Sequence, residues 1–448
     1  MTTHTLSIAA NSTAKYDVVV AGGGPAGIGA AAAAAKNNCR VLLIESTGCL
    51  GGTASNCGLP LWLGNPPDEL LPDDGLYIDF VNMLKSISPG TREIAPPLNK
   101  LPLKNSIVYD PEKGKMKFEE FVLGYDVELL YFTTLLAVRR EHNRVTGVFI
   151  SNKDGVTYVE ADAFVDCTGD ADMAHSGGFA TFRETPCAPV SLLWQVEDVD
   201  KAELEEYLDS GGDHRFREMI KALRDKKIWN WPDNILGFFP THRTGMMIVN
   251  PGMAQVNVDG TSAKELTEVM VRGRKAVYDM LEKVMRPFVP GFKNASVRYI
   301  AAAPGIRETR KIKGLYTLTY EDILARTAFP DTVVISHYGF DLGRPEQMPD
   351  GSWRSEQPLR DNRKVPGGQT CLPYRCLVPE SSENMLVAGR CVSVAEQALG
   401  PVRVMLPCFA AGLAAGAAAV QIAGDGINAA EVNIEKLRQD AGLQYKIL

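Results

Sequence analysis

An apolar, strand-like run that empties into a row of glycines leaves a chain few ways to fold. Val18-Val19-Val20-Ala21 is β-branched and uncharged, the pattern of a strand buried on both faces of a parallel sheet. It leads into Gly22-Gly23-Gly24-Pro25-Ala26-Gly27, and an alanine-rich segment from Ala26 to Lys36 follows at helical length. Glycine at 22 makes the tight strand-to-helix turn, Gly24 lets a pyrophosphate approach the backbone, and Gly27 lets the helix lie close on the strand. The helix start then presents unpaired N–H groups and a positive dipole end to the phosphates. A second strand, Val41-Leu42-Leu43-Ile44, ends in Glu45, where a carboxylate can accept bonds from ribose hydroxyls. Strand, turn, helix, strand and acid in this order predict a βαβ dinucleotide-binding unit.

The next loop favours FAD over NAD as the dinucleotide. Ser46-Thr47-Gly48-Cys49-Leu50-Gly51-Gly52-Thr53 carries a glycine pair where many flavoproteins run the FAD diphosphate and ribityl chain; an ordinary turn is the alternative reading. Near the other end, Asn384–Gly389 reads as a short buried strand closed by Arg390, and Leu399–Arg403 leads into a small-residue helix from about Val404 to Ala423. Pro407 fits its first turn, and Gly412 and Gly416 predict very close packing of that helix on the sheet. Its N-terminus, aimed at the flavin N1/C2 carbonyl, would stabilise the charge of reduced flavin. Between the ends, Phe164–Cys167 reads as a strand running into the Thr168-Gly169-Asp170 turn.

On these stretches the chain resembles the FAD-dependent oxidoreductases of the glutathione-reductase-type flavoprotein superfamily. More narrowly, it is similar to a bacterial family related to the flavin subunit of heterodisulfide reductase. The most specific matches are Gly-Ile-Arg-Glu-Thr-Arg-Lys-Ile-Lys-Gly at 305–314, and Pro-Tyr-Arg-Cys-Leu-Val with Val-Ala-Gly-Arg-Cys-Val-Ser between 373 and 393. The resemblance implies FAD contacts at Gly22, Gly24, Gly27, Glu45, Gly52, the Leu135 backbone, Gly169, Gly389 and Arg390. Pro25, Ala26, Ser46, Gly51, Thr53, Thr168, Asp170 and Val404 complete the expected cofactor set from within the same motifs. Family members often carry a histidine after the strand matching Val333–Asp341, where this chain reads Asp341-Leu342-Gly343. The iron–sulfur cysteine clusters of the heterodisulfide subunit are also missing.

With nucleotide-binding elements at both ends of 448 residues, the expected fold is α/β. A Rossmann-like FAD-binding domain, discontinuous in sequence (16–178 and 364–448), would carry an inserted α+β cap or substrate domain (179–363) and a flexible tail (1–15). At 45% hydrophobic and 23% charged the composition is that of ordinary globular protein. A net charge of −7 argues against a nucleic-acid surface. Cys408–Ala423 is apolar but broken by glycines and Gln421, which reads as a buried helix rather than a membrane span. Residues 1–15 lack the features of a signal peptide, so a cytoplasmic location is expected. Homo-oligomerisation stays open.

Nine cysteines and six histidines form no legible metal site, and the thiols read as buried or half-buried and free. For hydride chemistry at flavin N5 the protein needs a proton acceptor and a substrate anchor. His242, His337 and Tyr374 are the acid/base candidates, and Arg307 and Arg403 lead the anchors. For each, a loop histidine or a salt-bridged structural arginine is the competing reading. Arg298, Arg307, Arg310, Lys311 and Lys313 concentrate positive charge, which suggests a carboxylate-bearing substrate. A sugar-like substrate stacked on Trp229, Trp231 or Tyr374 is the alternative. The leading expectation is an FAD-dependent oxidoreductase acting on a small polar molecule, with its electron acceptor or donor unknown. A flavoprotein electron-transfer subunit working with a partner protein is the second reading. A disulfide reductase is the third, although only one dinucleotide fingerprint is present.

Overall fold

The computed structural model describes residues 7–59, 61–67, 70–87, 106–185, 187–250, 257–341, 345–347, 353–355 and 365–445. The glycine motif stands where it was predicted. Strand β1 (Tyr16–Ala21) is followed by helix α1 (Pro25–Lys36) and strand β2 (Val41–Ile44). Helix α2 (Pro111–Leu123), capped by the Asp110 carboxylate, precedes strand β3 (Glu128–Leu130). An antiparallel meander follows: β4 (Thr134–Glu141), β5 (Arg144–Asn152) and β6 (Gly155–Val159). Strand β7 (Ala161–Asp166) then returns beside β1.

The inserted region contributes β8 (Trp194–Glu197), β9 (Phe238–Pro240), β10 (Met247–Val249), helix α3 (Ala263–Met280) and β11 (Ser296–Ile300). The chain ends its nucleotide layer with β12 (Met385–Val387) and helix α4 (Met405–Asp425). Five parallel strands make the central sheet in the order β12–β7–β1–β2–β3. Residues from both ends of the sequence therefore share one sheet.

Period-two geometry divides this sheet cleanly. Val18, Val20, Val41 and Leu43 face a core with α1 and α4, whereas Val19, Ala21, Leu42 and Ile44 face Val145, Val148 and Ile150 of the meander. With helices on one face and a sheet on the other, β1 has no polar side to present. Helix α4 is long and apolar enough to cross a membrane, yet 94% of its most apolar window is buried inside the fold. Its glycines do not meet the sheet as expected. A Cβ on Gly412 or Gly416 would collide with the Ala26 and Ala30 carbonyls, so these glycines let α4 lie backbone-to-backbone on α1.

The second core belongs to the insertion. Its antiparallel sheet runs β9–β10–β8–β11, packed by Trp194, Ile248, Val277, Met280 and Leu281.

Two expected boundaries change. Residues 311–340, expected in the cap, rejoin the main body: Ile312 joins the core between the central sheet and the meander, and Leu318, Ile323, Val333, Val334 and Phe340 enter the core with α1 and α4. Local polarity cannot show which of two cores an apolar strand joins. The expected return at residue 364 lies outside the described residues. Asn11–Ser12, expected in a flexible tail, pair in parallel with Thr157–Tyr158 of β6. An exposed sheet edge offers unpaired backbone groups even to a polar segment.

Candidate cofactor cradle and active site

Four loops meet at the carboxyl ends of the parallel strands: 22–27 after β1, 45–53 after β2, 168–170 after β7 and 388–391 after β12. The order of strands reverses between β1 and β7, and such switch points are where open α/β sheets take their ligands. Gly22 has φ +97°, and a side chain there would strike the Cys167 carbonyl. A Cβ at Gly27 would overlap the Gly22 carbonyl, so both glycines are required by the protein itself. Gly24 differs. It has φ −70° and ψ −174°, open to any residue, and a Cβ there meets nothing nearer than Gly52 Cα at 4.0 Å. The fold does not need glycine at 24.

Pro25 and Ala26 start α1, with Pro25 in its first turn. The two glycine loops are fastened by Gly51 N–H donating to the Gly23 carbonyl at 2.8 Å. The Glu45 carboxylate, only 7% exposed, accepts from Gly23 N–H at 2.7 Å through Oε2. Its Oε1 accepts from Thr47 N–H at 2.7 Å, Thr47 Oγ1 at 2.8 Å and Ser46 Oγ at 3.3 Å. Thr53 opens the short helical turn Thr53–Asn56. Thr133 N–H donates to the Glu45 carbonyl, and Leu135, two residues on, lies in β4 opposite Ile150.

The Thr168-Gly169-Asp170 turn is organised by Asp166, which is fully buried. Asp166 accepts from Thr168 N–H at 3.1 Å, Thr168 Oγ1 at 2.7 Å and Ala174 N–H at 3.0 Å. Burial pushes its carboxyl up, and those hydrogen bonds oppose the shift. Asp170 accepts from Arg390 Nη2 at 3.1 Å. Gly389 brings the Arg390 loop to α1, where a Cβ would meet Ala26 Cβ at 3.3 Å. Val404 caps α4. The helix start has fewer donors for a ligand than expected, because Leu406 N–H is taken by the Leu63 carbonyl and Pro407 has none.

The five catalytic candidates do not share one site. Arg403 Nη2 donates to the Asp341 carbonyl at 2.8 Å and to its carboxylate at 3.3 Å. Tyr338 OH donates to the same carboxylate at 2.8 Å. His337 stands on this segment, next to Ser336, whose hydroxyl donates to the Pro401 carbonyl at 2.5 Å. The segment carrying His337 and the loop carrying Arg403 are thus joined at the start of α4. His242 sits in the β9–β10 hairpin of the insertion, its Nε2 3.6 Å from Asp110. Burial, with help from Arg243 and Lys113, holds its imidazole below the usual range against the pull of Asp110. Arg307 Nη1 donates to the Pro189 carbonyl at 2.5 Å.

Tyr374 must be corrected. It is a core residue, 2% exposed, with its hydroxyl on the Ala429 carbonyl at 2.8 Å, and burial drives its ionisation far up. A phenol so placed reaches no substrate.

The expected positive patch is also neutralised within the protein. Arg310 pairs with Asp172, Lys311 with Glu308 and Glu184, Lys313 with Glu380, and Arg298 with Glu197. Trp229 and Trp231 pack together, and Trp229 is 1% exposed, which removes it as a stacking face.

Sequence reading overlooked the seam between cradle and insertion. Tyr299 OH donates to the Asn56 carbonyl at 3.4 Å, Ala302 N–H to that carbonyl at 3.1 Å, and Gln195 Nε2 to the Gly58 carbonyl at 3.1 Å. Cys57 joins the core of the insertion, and its thiol donates to the Ala303 carbonyl at 3.4 Å. A cysteine that directly follows a helical turn carries no local sign of these long-range partners. None of the nine cysteines is joined in a disulfide.

The family model described as FAD dependent oxidoreductase matches residues 17–440. The chain belongs to that family. It is an FAD-dependent oxidoreductase with FAD as its cofactor. No curated protein matches it. Among solved structures, it is similar to a geranylgeranyl bacteriochlorophyll reductase-like protein from Thermoplasma acidophilum, with 13% identity, TM-score 0.46 and coverage of 96% of this chain and 83% of the other. For p-nitrophenol 4-monooxygenase from Pseudomonas putida the values are 12%, 0.47, 96% and 84%. For a myxobacterial chondrochloren halogenase they are 12%, 0.44, 96% and 78%.

The cradle of this oxidoreductase fits the cofactor on two counts independent of the family match. Gly24 leaves room above the turn that no protein atom uses. The Arg390 guanidinium, 19% exposed, keeps Nη1 buried with no protein acceptor, as suits a partner that carries negative charge. The Gly22–Gly27 turn would hold the diphosphate and Glu45 the ribose.

Proposed function

We propose that this oxidoreductase exchanges a hydride with a small polar substrate bound between the cradle and the inserted sheet. Bound FAD supplies the hydride chemistry at N5. Arg403 is the residue that supports a substrate site. Its side chain is 12% exposed and anchored through Nη2 by Asp341, while its buried Nε has no protein acceptor. A donor held in place in this way can fix a carbonyl or carboxylate oxygen at low entropic cost. His337, on the neighbouring segment, takes up or returns the companion proton. The seam through Asn56, Cys57 and Tyr299 fastens the insertion to the glycine loop and so holds the two sides of the cleft in register.

We also place the chain within the glutathione-reductase-type superfamily, near the flavin subunit of heterodisulfide reductase, on the motifs at 305–314 and 373–393. The single glycine fingerprint supports an electron donor or acceptor other than a tightly bound nicotinamide cofactor.

Anaerobic flavin bleaching against hydroxy acids, sugars, amines and nicotinamide cofactors tests this reading. One of the first three classes should reduce the flavin in the wild type, and Arg403→Ala should abolish that reduction with FAD retained. Bleaching by NADPH with micromolar saturation, or by a partner protein alone, would overturn it.

A further inference from the structure

The stretch Arg307-Glu308-Thr309-Arg310-Lys311 directs its side chains to two sides. On one side lies the start of the insertion. Arg307 holds the Pro189 carbonyl, Glu308 accepts from Ala188 N–H at 3.3 Å, and Lys311 reaches Glu308 at 2.8 Å and Glu184 at 3.6 Å. On the other side lies the turn after β7. Thr309 Oγ1 donates to Asp170 Oδ1 at 2.6 Å. Arg310 Nε donates to the Asp170 carbonyl at 3.0 Å, and its Nη2 pairs with Asp172.

Asp170 Oδ1 is also the oxygen that accepts from Arg390 Nη2 at 3.1 Å. An arginine and a carboxylate left to themselves favour two parallel hydrogen bonds. Here the pair has one. Thr309, 1% exposed, holds the carboxylate at the oxygen that Arg390 uses, and Arg310 holds the backbone on which it stands. The second guanidinium nitrogen, Nη1, is therefore buried without a protein acceptor. Gly169 reinforces the arrangement, since a side chain there would press on the guanidinium, with its Cβ 2.7 Å from Nη2.

We propose that Thr309 and Arg310 are positioning residues for the cofactor: by fixing Asp170 they keep Arg390 in a one-bond pair, leaving Nη1 for an anionic group of bound FAD. The shared chemistry is a negative oxygen, from either the diphosphate or the reduced isoalloxazine. The inference rests on cofactor lying along the loops at 22–27, 168–170 and 389–390.

The test uses the full chain as Thr309→Val, Thr309→Ser, Arg390→Ala, Arg390→Lys and the double variant Thr309→Val/Arg390→Ala. FAD is titrated into each apoprotein by fluorescence quenching, and the midpoint potential of each reconstituted protein is measured by dye equilibration. Losing a hydrogen bond to a charged group predicts that Thr309→Val weakens FAD binding about tenfold or lowers the midpoint potential, with Thr309→Ser like wild type. Arg390→Lys should recover part of what Arg390→Ala loses. The double variant should be no worse than Arg390→Ala alone, because both changes act through one guanidinium. Weaker binding of oxidised FAD at an unchanged potential assigns Nη1 to the diphosphate. A lowered potential at unchanged affinity assigns it to the reduced ring.

Additive losses in the double variant, or a Thr309→Val protein like wild type, overturn the positioning role. An Arg390→Ala protein with unchanged affinity and potential overturns the cofactor placement instead. Should Thr309→Val fail to fold, Arg310→Gln must show the same loss for the proposal to stand.

Discussion

Gly24 allows the cofactor's demand on the chain to be separated from the fold's own. In Gly24→Ala the backbone at φ −70° and ψ −174° suits alanine, and the new methyl has no neighbour closer than 4.0 Å. Restricting the unfolded chain gains about 0.4–1 kcal/mol, while alanine is a poorer helix cap than glycine by a similar amount. The apoprotein should therefore keep its stability to within about 1 kcal/mol. With the diphosphate at the helix start, as the cradle would hold it, the methyl would intrude on it, and displacing one charge-assisted contact costs about 1.5–3 kcal/mol, or about 10- to 150-fold in Kd. Gly27→Ala should reverse the pattern, because its Cβ would run into the Gly22 carbonyl and overpacking costs about 1–3 kcal/mol in the apoprotein. Thermal melts of both apoproteins and FAD titration of each give the two quantities separately. The reasoning fails if Gly24→Ala binds FAD like wild type, or if it loses apoprotein stability as Gly27→Ala does.

Three further outcomes follow from the packing and the charges. His242 is held below its ordinary range of about 6.5, chiefly by burial; the unfolded chain thus binds the extra proton more readily, and stability should fall as pH drops below about 6.5. Melts across pH 5–8 would check this, with His242→Gln removing that part of the dependence. Gly412→Ala should lower the melting temperature through its clash with the Ala26 carbonyl, whereas Gly424→Ala, in the same helix with nothing within 4 Å, should leave it unchanged or raise it. Lys311→Met strands the Glu308 carboxylate in a site where both side chains are 0% exposed, so denaturant unfolding should show a loss of about 3–5 kcal/mol. A substrate-binding lysine would instead raise KM with stability intact.

Much of the cofactor cradle could be read from residue order because its physics is local. A buried parallel strand, a glycine turn, a helix start and an acid at the next strand end lie within residues 16–45, and each leaves its own periodicity or residue type in that window. The second glycine loop and the turn after β7 are likewise marked by their own residues. Tertiary structure decided which charges are spoken for. Arg310 finds Asp172 across 138 residues, Arg403 finds Asp341 across 62, and the Tyr374 hydroxyl finds Ala429 across 55. A sequence shows that a cation or phenol is present, but whether it is desolvated and paired depends on what the fold sets against it. The same reason governs the limits of the insertion: the strands after residue 310 are apolar in either core, and only their packing assigns them to the main body. What the chain's order of residues settled by itself is the cofactor and the layer that holds it; the buried donors Arg390 Nη1 and Arg403 Nε stand beside Nη2 groups that the fold ties to the distant carboxylates of Asp170 and Asp341.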